Sequence, residues 1–100
     1  MKVRLVQSGG LLGIVKACEI DSSILGPDAA EELERLVRGS GISASGAYLS
    51  DVGRDLQQYE ITIEDETGTL SVVFDDSSIP PAARPMIGFL KQRARPQAPG

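Results

Sequence analysis

The chain has 100 residues, of which 41% are hydrophobic and 4% aromatic, a size and composition typical of one domain with a modest aliphatic core. It has no histidine, no tryptophan and one cysteine, so the usual base for a serine or cysteine nucleophile and the commonest zinc ligand are absent. A net charge of −4 argues against a nucleic-acid partner, and the lack of a signal-peptide core or a long apolar run predicts a soluble, cytoplasmic protein without a membrane partner.

The first predicted feature is a hairpin with two leucines at its tip. Strand-like runs over residues 2–7 and 14–21 flank Ser8-Gly9-Gly10-Leu11-Leu12-Gly13. Glycine accepts the positive φ that a tight reversal requires, so the second run can fold back on the first. The leucines either enter a partner or turn inward and cap the core, and the residues alone do not decide between these.

A helix is predicted next, over residues 27–38. Pro27 suits a first helical turn, and Gly39 suits a C-terminal stop. An apolar stripe of Ala29, Leu33, Leu36 and Val37 falls at helical spacing.

Residues 39–56 form a long connection with apolar residues at Tyr48, Leu49, Val52 and Leu56. Connections of this length are often functional. Its apolar residues either pin it to the sheet or face a partner, and both interpretations stay open.

The second half of the chain predicts a hairpin and a helix. Alternating apolar residues over 59–63 and 70–74 flank a turn at residues 65–68. A helix from about Pro81 or Ala82 to Ala94 follows, with Pro85 acceptable only in its first turn. Its apolar stripe consists of Ala83, Met86, Ile87 and Leu90.

Together these elements predict a two-layer α+β fold: a four-stranded, mainly antiparallel sheet with two helices on one face, in the order ββαββα. We expect a single domain over residues 1–94 and a disordered tail over residues 95–100.

The sequence offers no pattern for catalysis or for a bound metal. Five carboxylates at residues 64–66 and 75–76 lack the spacing of a calcium loop, and the serines lie in neither a nucleophile elbow nor a phosphate-binding loop. Cys18, in a strand-like run, is most simply a small buried hydrophobe. We therefore predict a protein that is not an enzyme and has no cofactor.

The chain resembles the emfourins, protein inhibitors associated with protealysin, a thermolysin-like metallopeptidase. The resemblance covers nearly the whole chain. It rests on residues 3–10 with Leu11 and Gly13, on residues 55–61, and on residues 79–86 with Leu90. Family members often have phenylalanine after the Gly-Gly pair, where this chain has Leu11, and their middle loop is variable.

The resemblance implies an inhibitor of thermolysin-like zinc metallopeptidases, in bacteria often encoded beside its target. Such enzymes favour a bulky apolar side chain just after the scissile bond, so Leu11 or Leu12 is expected to fill that pocket while neighbouring backbone blocks the catalytic zinc. The implied second contact is the long connection over residues 39–56, called the middle segment below. There Tyr48 and Leu49 would be apolar anchors, and Asp51 or Asp55 a carboxylate directed at the zinc.

The alternative function is a small interaction module without a protease target. An exposed edge strand presents unpaired backbone groups, which can add a strand from a partner or from a second copy. The two hypotheses differ in whether binding depends on the leucines or on a strand edge.

Overall fold

The computed structural model describes residues 1–9, 13–49 and 57–97. Within these ranges the chain forms six strands and two helices, joined by short 3₁₀ turns at Ser22–Ile24 and Pro81–Ala83. The strands are β1 (Lys2–Gly9), β2 (Lys16–Asp21), β3 (Gly46–Tyr48), β4 (Gln57–Asp65), β5 (Gly68–Asp75) and β6 (Arg95–Pro96), and the helices are α1 (Pro27–Gly39) and α2 (Arg84–Lys91).

The strands form one mixed six-stranded sheet in the order β3-β5-β4-β1-β2-β6. The α+β class fits, but the prediction of a four-stranded, mainly antiparallel sheet in the order ββαββα is wrong. β3 joins the edge of the sheet parallel to β5, and β6 pairs antiparallel with β2 at the other edge. Three residues in β3 and two in β6 are too few to show a periodic pattern, and their pairing is set by strands far away in the sequence.

The core lies between the sheet and the helices. Alternate residues of β1, β4 and β5 are buried, as their alternation predicts. The buried apolar cluster comprises Val3, Leu5, Ile20, Leu33, Val37, Tyr59, Ile61, Ile63, Val72, Phe74, Ile79, Ala83, Met86, Ile87 and Leu90. Both helices contribute to this one cluster, which places them on the same face of the sheet.

Helix α1 begins at Pro27, as predicted, and buries Leu33 and Val37 from its predicted stripe. Its end is fixed by Ser40, whose hydroxyl donates to the Val37 carbonyl at 2.6 Å and accepts from the Ile42 amide at 3.3 Å. The Val37 carbonyl also accepts from the Ser40 backbone amide at 3.2 Å, so the side chain adds a second donor to a carbonyl at the end of the helix.

Helix α2 is shorter than predicted. The chain forms a 3₁₀ turn at Pro81–Ala83 and then the helix, with Pro85 in the first turn, where its missing amide proton has no helical partner to lose. The predicted apolar stripe of Ala83, Met86, Ile87 and Leu90 is buried.

After α2, Arg95 and Pro96 pair with Ala17 and Lys16, and the Gln97 amide donates to the Val15 carbonyl at 2.8 Å. The tail predicted from residue 95 thus begins with residues that contact β2. The division into a domain over 1–94 and a tail stays a prediction.

Candidate functional site

The two segments predicted to contact a partner leave the sheet at the same end. One row of paired residues crosses all six strands there: Tyr48, Phe74, Tyr59, Gln7, Lys16 and Pro96. We define the loop-bearing end as the described residues beyond this row, together with Tyr48: Ser8, Gly9, Gly13, Ile14, Val15, Tyr48, Leu49, Gln57, Gln58, Asp75, Asp76 and Gln97. The bases of the two segments, on β1 and β3, are three strand spacings apart, about 14 Å.

Glycines in left-handed conformations bracket the hairpin tip. Ser8 and Gly9 extend β1 and pair with Gln58 and Gln57 of β4. Gly9 has φ 91° and Gly13 has φ 62°, which is the conformational freedom that the sequence predicts for this reversal. Gly10, Leu11 and Leu12, the other predicted contact residues of the tip, lie outside the described residues.

The middle segment enters this end through β3. The Tyr48 ring stacks on Phe74 with centroids 5.5 Å apart, yet Tyr48 remains 48% exposed and Leu49 47%. Tyr48 therefore both pins the segment to the sheet and presents apolar surface, which combines the two interpretations that the sequence left open. Asp51 and Asp55, predicted as contact residues, lie outside the described residues, as do Val52 and Leu56.

Exposed apolar side chains concentrate at the loop-bearing end. Among the described residues, four large hydrophobic side chains are exposed: Ile14, Ile24, Tyr48 and Leu49. All except Ile24 lie at this end. Ile14 is not among the predicted contact residues, because the second strand-like run is predicted to begin at this residue, whereas β2 begins at Lys16. An apolar residue directly after Gly13, outside a clean alternation, was the available signal.

A shallow hollow of about 350 Å³ lies beside Tyr48. It is lined by uncharged residues from the connection after α1, from β5 and from the segment before α2, among them Ile42, Phe74 and Pro80. The exposed part of Tyr48 is therefore continuous with further apolar surface.

Polar side chains join the strands at the same end. Asp76 accepts a hydrogen bond from the Tyr59 hydroxyl at 2.5 Å and another from the Gln57 backbone amide at 3.3 Å. Burial and the Asp76 carboxylate raise the pKa of Tyr59 above its ordinary value, because both disfavour a phenolate. Because its pKa is raised, the Tyr59 hydroxyl stays protonated at neutral pH and remains a hydrogen-bond donor. The Gln7 side-chain amide also donates to the Gln57 side chain, which links β1 to β4.

The described residues contain no group of three or more histidine, cysteine, aspartate or glutamate residues placed to hold a metal. The half-buried Cys18 thiol donates to the Leu90 carbonyl at 3.4 Å, and burial raises the pKa of this thiol, which keeps it protonated and unreactive. No helix in the described ranges is long and apolar enough to cross a membrane.

Comparison with known proteins identifies the family. The emfourin family model matches residues 5–91, a range that includes both predicted contact segments. The chain therefore belongs to the emfourin family, and the resemblance found in the sequence is confirmed. This is an inhibitor family, so membership suggests a metallopeptidase inhibitor role with a protease as partner. No curated protein and no solved structure gave a match.

Proposed function

From membership in the emfourin family, we propose that the protein inhibits a thermolysin-like zinc metallopeptidase and binds it with the loop-bearing end of the sheet. The observation that carries the proposal is the position of Ile14, Tyr48 and Leu49. These three exposed apolar side chains flank the two segments that leave this end. Tyr48 and Leu49 are adjacent in the chain, and Ile14 leads into β2, which lies four strand spacings from β3, about 19 Å. Exposed apolar surface at one end of the sheet favours a protein-binding role for that end.

In this proposal the hairpin tip occupies the substrate cleft. Leu11 or Leu12 fills the apolar pocket of the peptidase, and the neighbouring backbone covers the zinc, which belongs to the peptidase. The β1–β2 pairing runs from Lys2 to Gln7 and holds both ends of the tip. Fixing both ends of a loop lowers the conformational entropy that the loop loses on binding, which favours tight association.

The second contact is the middle segment. Tyr48 and Leu49 meet the rim of the cleft, and Asp51 or Asp55 supplies a carboxylate to the zinc. Because Tyr48 already stacks on Phe74, binding does not have to immobilise its ring.

The size of this surface fits a stable complex. A standard interface buries roughly 800 Å² on each partner. The accessible surface of the protein is 6375 Å², so such an interface would cover about an eighth of it. One end of a six-stranded sheet, together with the two segments that leave it, can supply that area.

The partner is expected to resemble protealysin, in a bacterial cell, and the encounter is expected in the cytoplasm. There the inhibitor would protect the cell from a peptidase that matures before export. Detecting the complex in a cytoplasmic fraction by cross-linking would support this location.

The test is a titration of a thermolysin-like peptidase against a small peptide substrate, with a serine protease as the control enzyme. We expect stoichiometric loss of the metallopeptidase activity alone. Replacing both Leu11 and Leu12 with serine should abolish inhibition. The matched control is Ile24→Ser, which alters an apolar side chain that is 83% exposed at the opposite end of the sheet, and this variant should inhibit normally. Equal potency of the two variants would refute the proposed surface.

The alternative, an interaction module that acts through a strand edge, is favoured by one observation. β3 lies at an edge of the sheet, and all three of its residues are exposed. Proline at Ala47 should then abolish binding of a partner or of a second copy, while the leucine variant retains it.

A further inference from the structure

Four residues, through three side-chain groups and the Gln57 backbone amide and side chain, connect the ends of β5, β4 and β1 at the loop-bearing end. We propose that this polar string, Tyr59, Asp76, Gln57 and Gln7, positions the end of β1, where the hairpin tip begins, and the start of β4, which follows the middle segment, and so sets the affinity of the inhibitor. The claim about affinity rests on the proposed inhibitory function. The claim that the string links the strand ends mechanically rests on the geometry alone.

Asp76 is the centre of the string. The β4–β5 ladder ends at the pair Gln58–Asp75, so Gln57 has no strand partner on that side. The Asp76 carboxylate takes the place of the missing strand. One oxygen accepts from the Gln57 backbone amide at 3.3 Å, and the other accepts from the Tyr59 hydroxyl at 2.5 Å. Hydrogen bonds to an ionised acceptor are stronger than neutral ones, so this carboxylate holds two points of β4.

Gln7 carries the link across to β1. Its side chain is nearly buried, and its amide donates to the Gln57 side chain. A buried amide requires such a partner, because leaving it without one is costly. In the ladder Gln7 lies directly opposite Tyr59, and Gly9 lies opposite Gln57. The string therefore connects the chain after β5 to the strand that leads into the hairpin tip.

The far side of the string is fixed by the helix layer. Tyr59 is 2% exposed, and the Lys91 ammonium of α2 lies 5.3 Å from the centre of its ring. The ring therefore cannot follow a movement of the strand ends without disturbing the core. A link anchored in the core and ending at two loop bases limits how far those bases move relative to each other.

The test uses Asp76→Asn in the full chain, with Glu60→Gln as the matched control. Glu60 is exposed on β4, the strand that carries Tyr59 and Gln57, and it loses the same charge in the control, but it lies outside the string. Amide hydrogen exchange is compared at Ser8 and Gly9, near the string, and at Val3 and Ile63, which pair at the other end of the sheet.

We expect Asp76→Asn to speed exchange at Ser8 and Gly9 by roughly tenfold, the size of one charge-assisted hydrogen bond, without changing Val3 or Ile63. The complex with a thermolysin-like peptidase should dissociate faster by a similar factor. Tyr59→Phe keeps the ring and removes the hydroxyl, so it should give the same pattern. Glu60→Gln should change neither quantity.

Three results would overturn the proposal. Unchanged exchange at Ser8 and Gly9 would remove the mechanical link. Faster exchange at Val3 and Ile63 as well would indicate a general loss of stability. Faster local exchange with wild-type dissociation would separate the string from affinity. If the unaltered protein inhibits no metallopeptidase, the proposed function fails, while the exchange data still decide whether the link exists.

Discussion

The same substitution, glycine to alanine, should change stability in opposite directions at Gly13 and Gly88. Both positions have open space for a Cβ, with no other atom within 4 Å, so a steric clash contributes to neither effect. The two positions differ only in backbone conformation. Gly13 has φ 62°, whereas Gly88 lies inside α2.

At Gly13 the left-handed conformation costs an L-residue about 1–2 kcal/mol. Alanine also restricts the unfolded chain, which returns about 0.4–1 kcal/mol. The net result is a free energy of unfolding lower by about 1 kcal/mol. Asparagine tolerates this conformation better, so Gly13→Asn should be less destabilising than Gly13→Ala. At Gly88 alanine suits a helix interior, and the free energy of unfolding should rise by about 0.5–1 kcal/mol.

The assay is urea unfolding followed by circular dichroism, since the chain has no tryptophan to report by fluorescence. The denaturant slopes of the three variants should match that of the unaltered protein, so that midpoints can be compared directly. The reasoning is refuted if Gly13→Ala is as stable as Gly88→Ala, or if asparagine at position 13 is worse than alanine.

Three further predictions concern the core, a helix end and a buried tyrosine. Leu33→Ala should lower the free energy of unfolding by about 2–5 kcal/mol, whereas Ile24→Ala should stay within about 0.5 kcal/mol, both measured by urea unfolding. Ser40→Ala, which removes the hydrogen bond to the Val37 carbonyl, should cost about 1 kcal/mol in the same assay. The folded pKa of Tyr59 is raised by burial and a neighbouring carboxylate, so its contribution is complete below the unfolded pKa near 10 and is lost as pH rises. Unfolding between pH 10 and 12 should therefore show a decline of up to about 1.4 kcal/mol per pH unit that Tyr59→Phe lacks.

The parts of the fold that could be predicted are those in which apolar residues recur with a regular period in the sequence. β1, β4 and β5 each alternate for long enough that burial on one face is the consistent solution, and the apolar stripes of α1 and α2 follow helical spacing. β3 and β6 were missed because neither contains a full alternation. Their conformation comes from hydrogen bonding to β5 and β2, which the local sequence does not encode.

In the candidate site, too, one feature could be predicted from the local sequence and another could not. A left-handed backbone at the hairpin tip followed from the glycines, because no other residue type adopts that conformation so readily. The polar string could not be predicted. Gln7 and Gln57 are 50 positions apart in the sequence, and a glutamine in a strand gives no indication of its partner. Only the register of β1 against β4 brings the two side chains together.

The correction to the fold bears directly on the candidate site. In a four-stranded sheet the middle segment had no fixed place, and its apolar residues could have lain at either end. β3 runs parallel to β5, so its last residue, Tyr48, pairs with Phe74 at the end where β1 finishes. An antiparallel β3 would have directed Leu49 toward the other end of β5, where Leu70 pairs with Ile63. The direction of this three-residue strand therefore places Tyr48 and Leu49 at the same end as the hairpin tip.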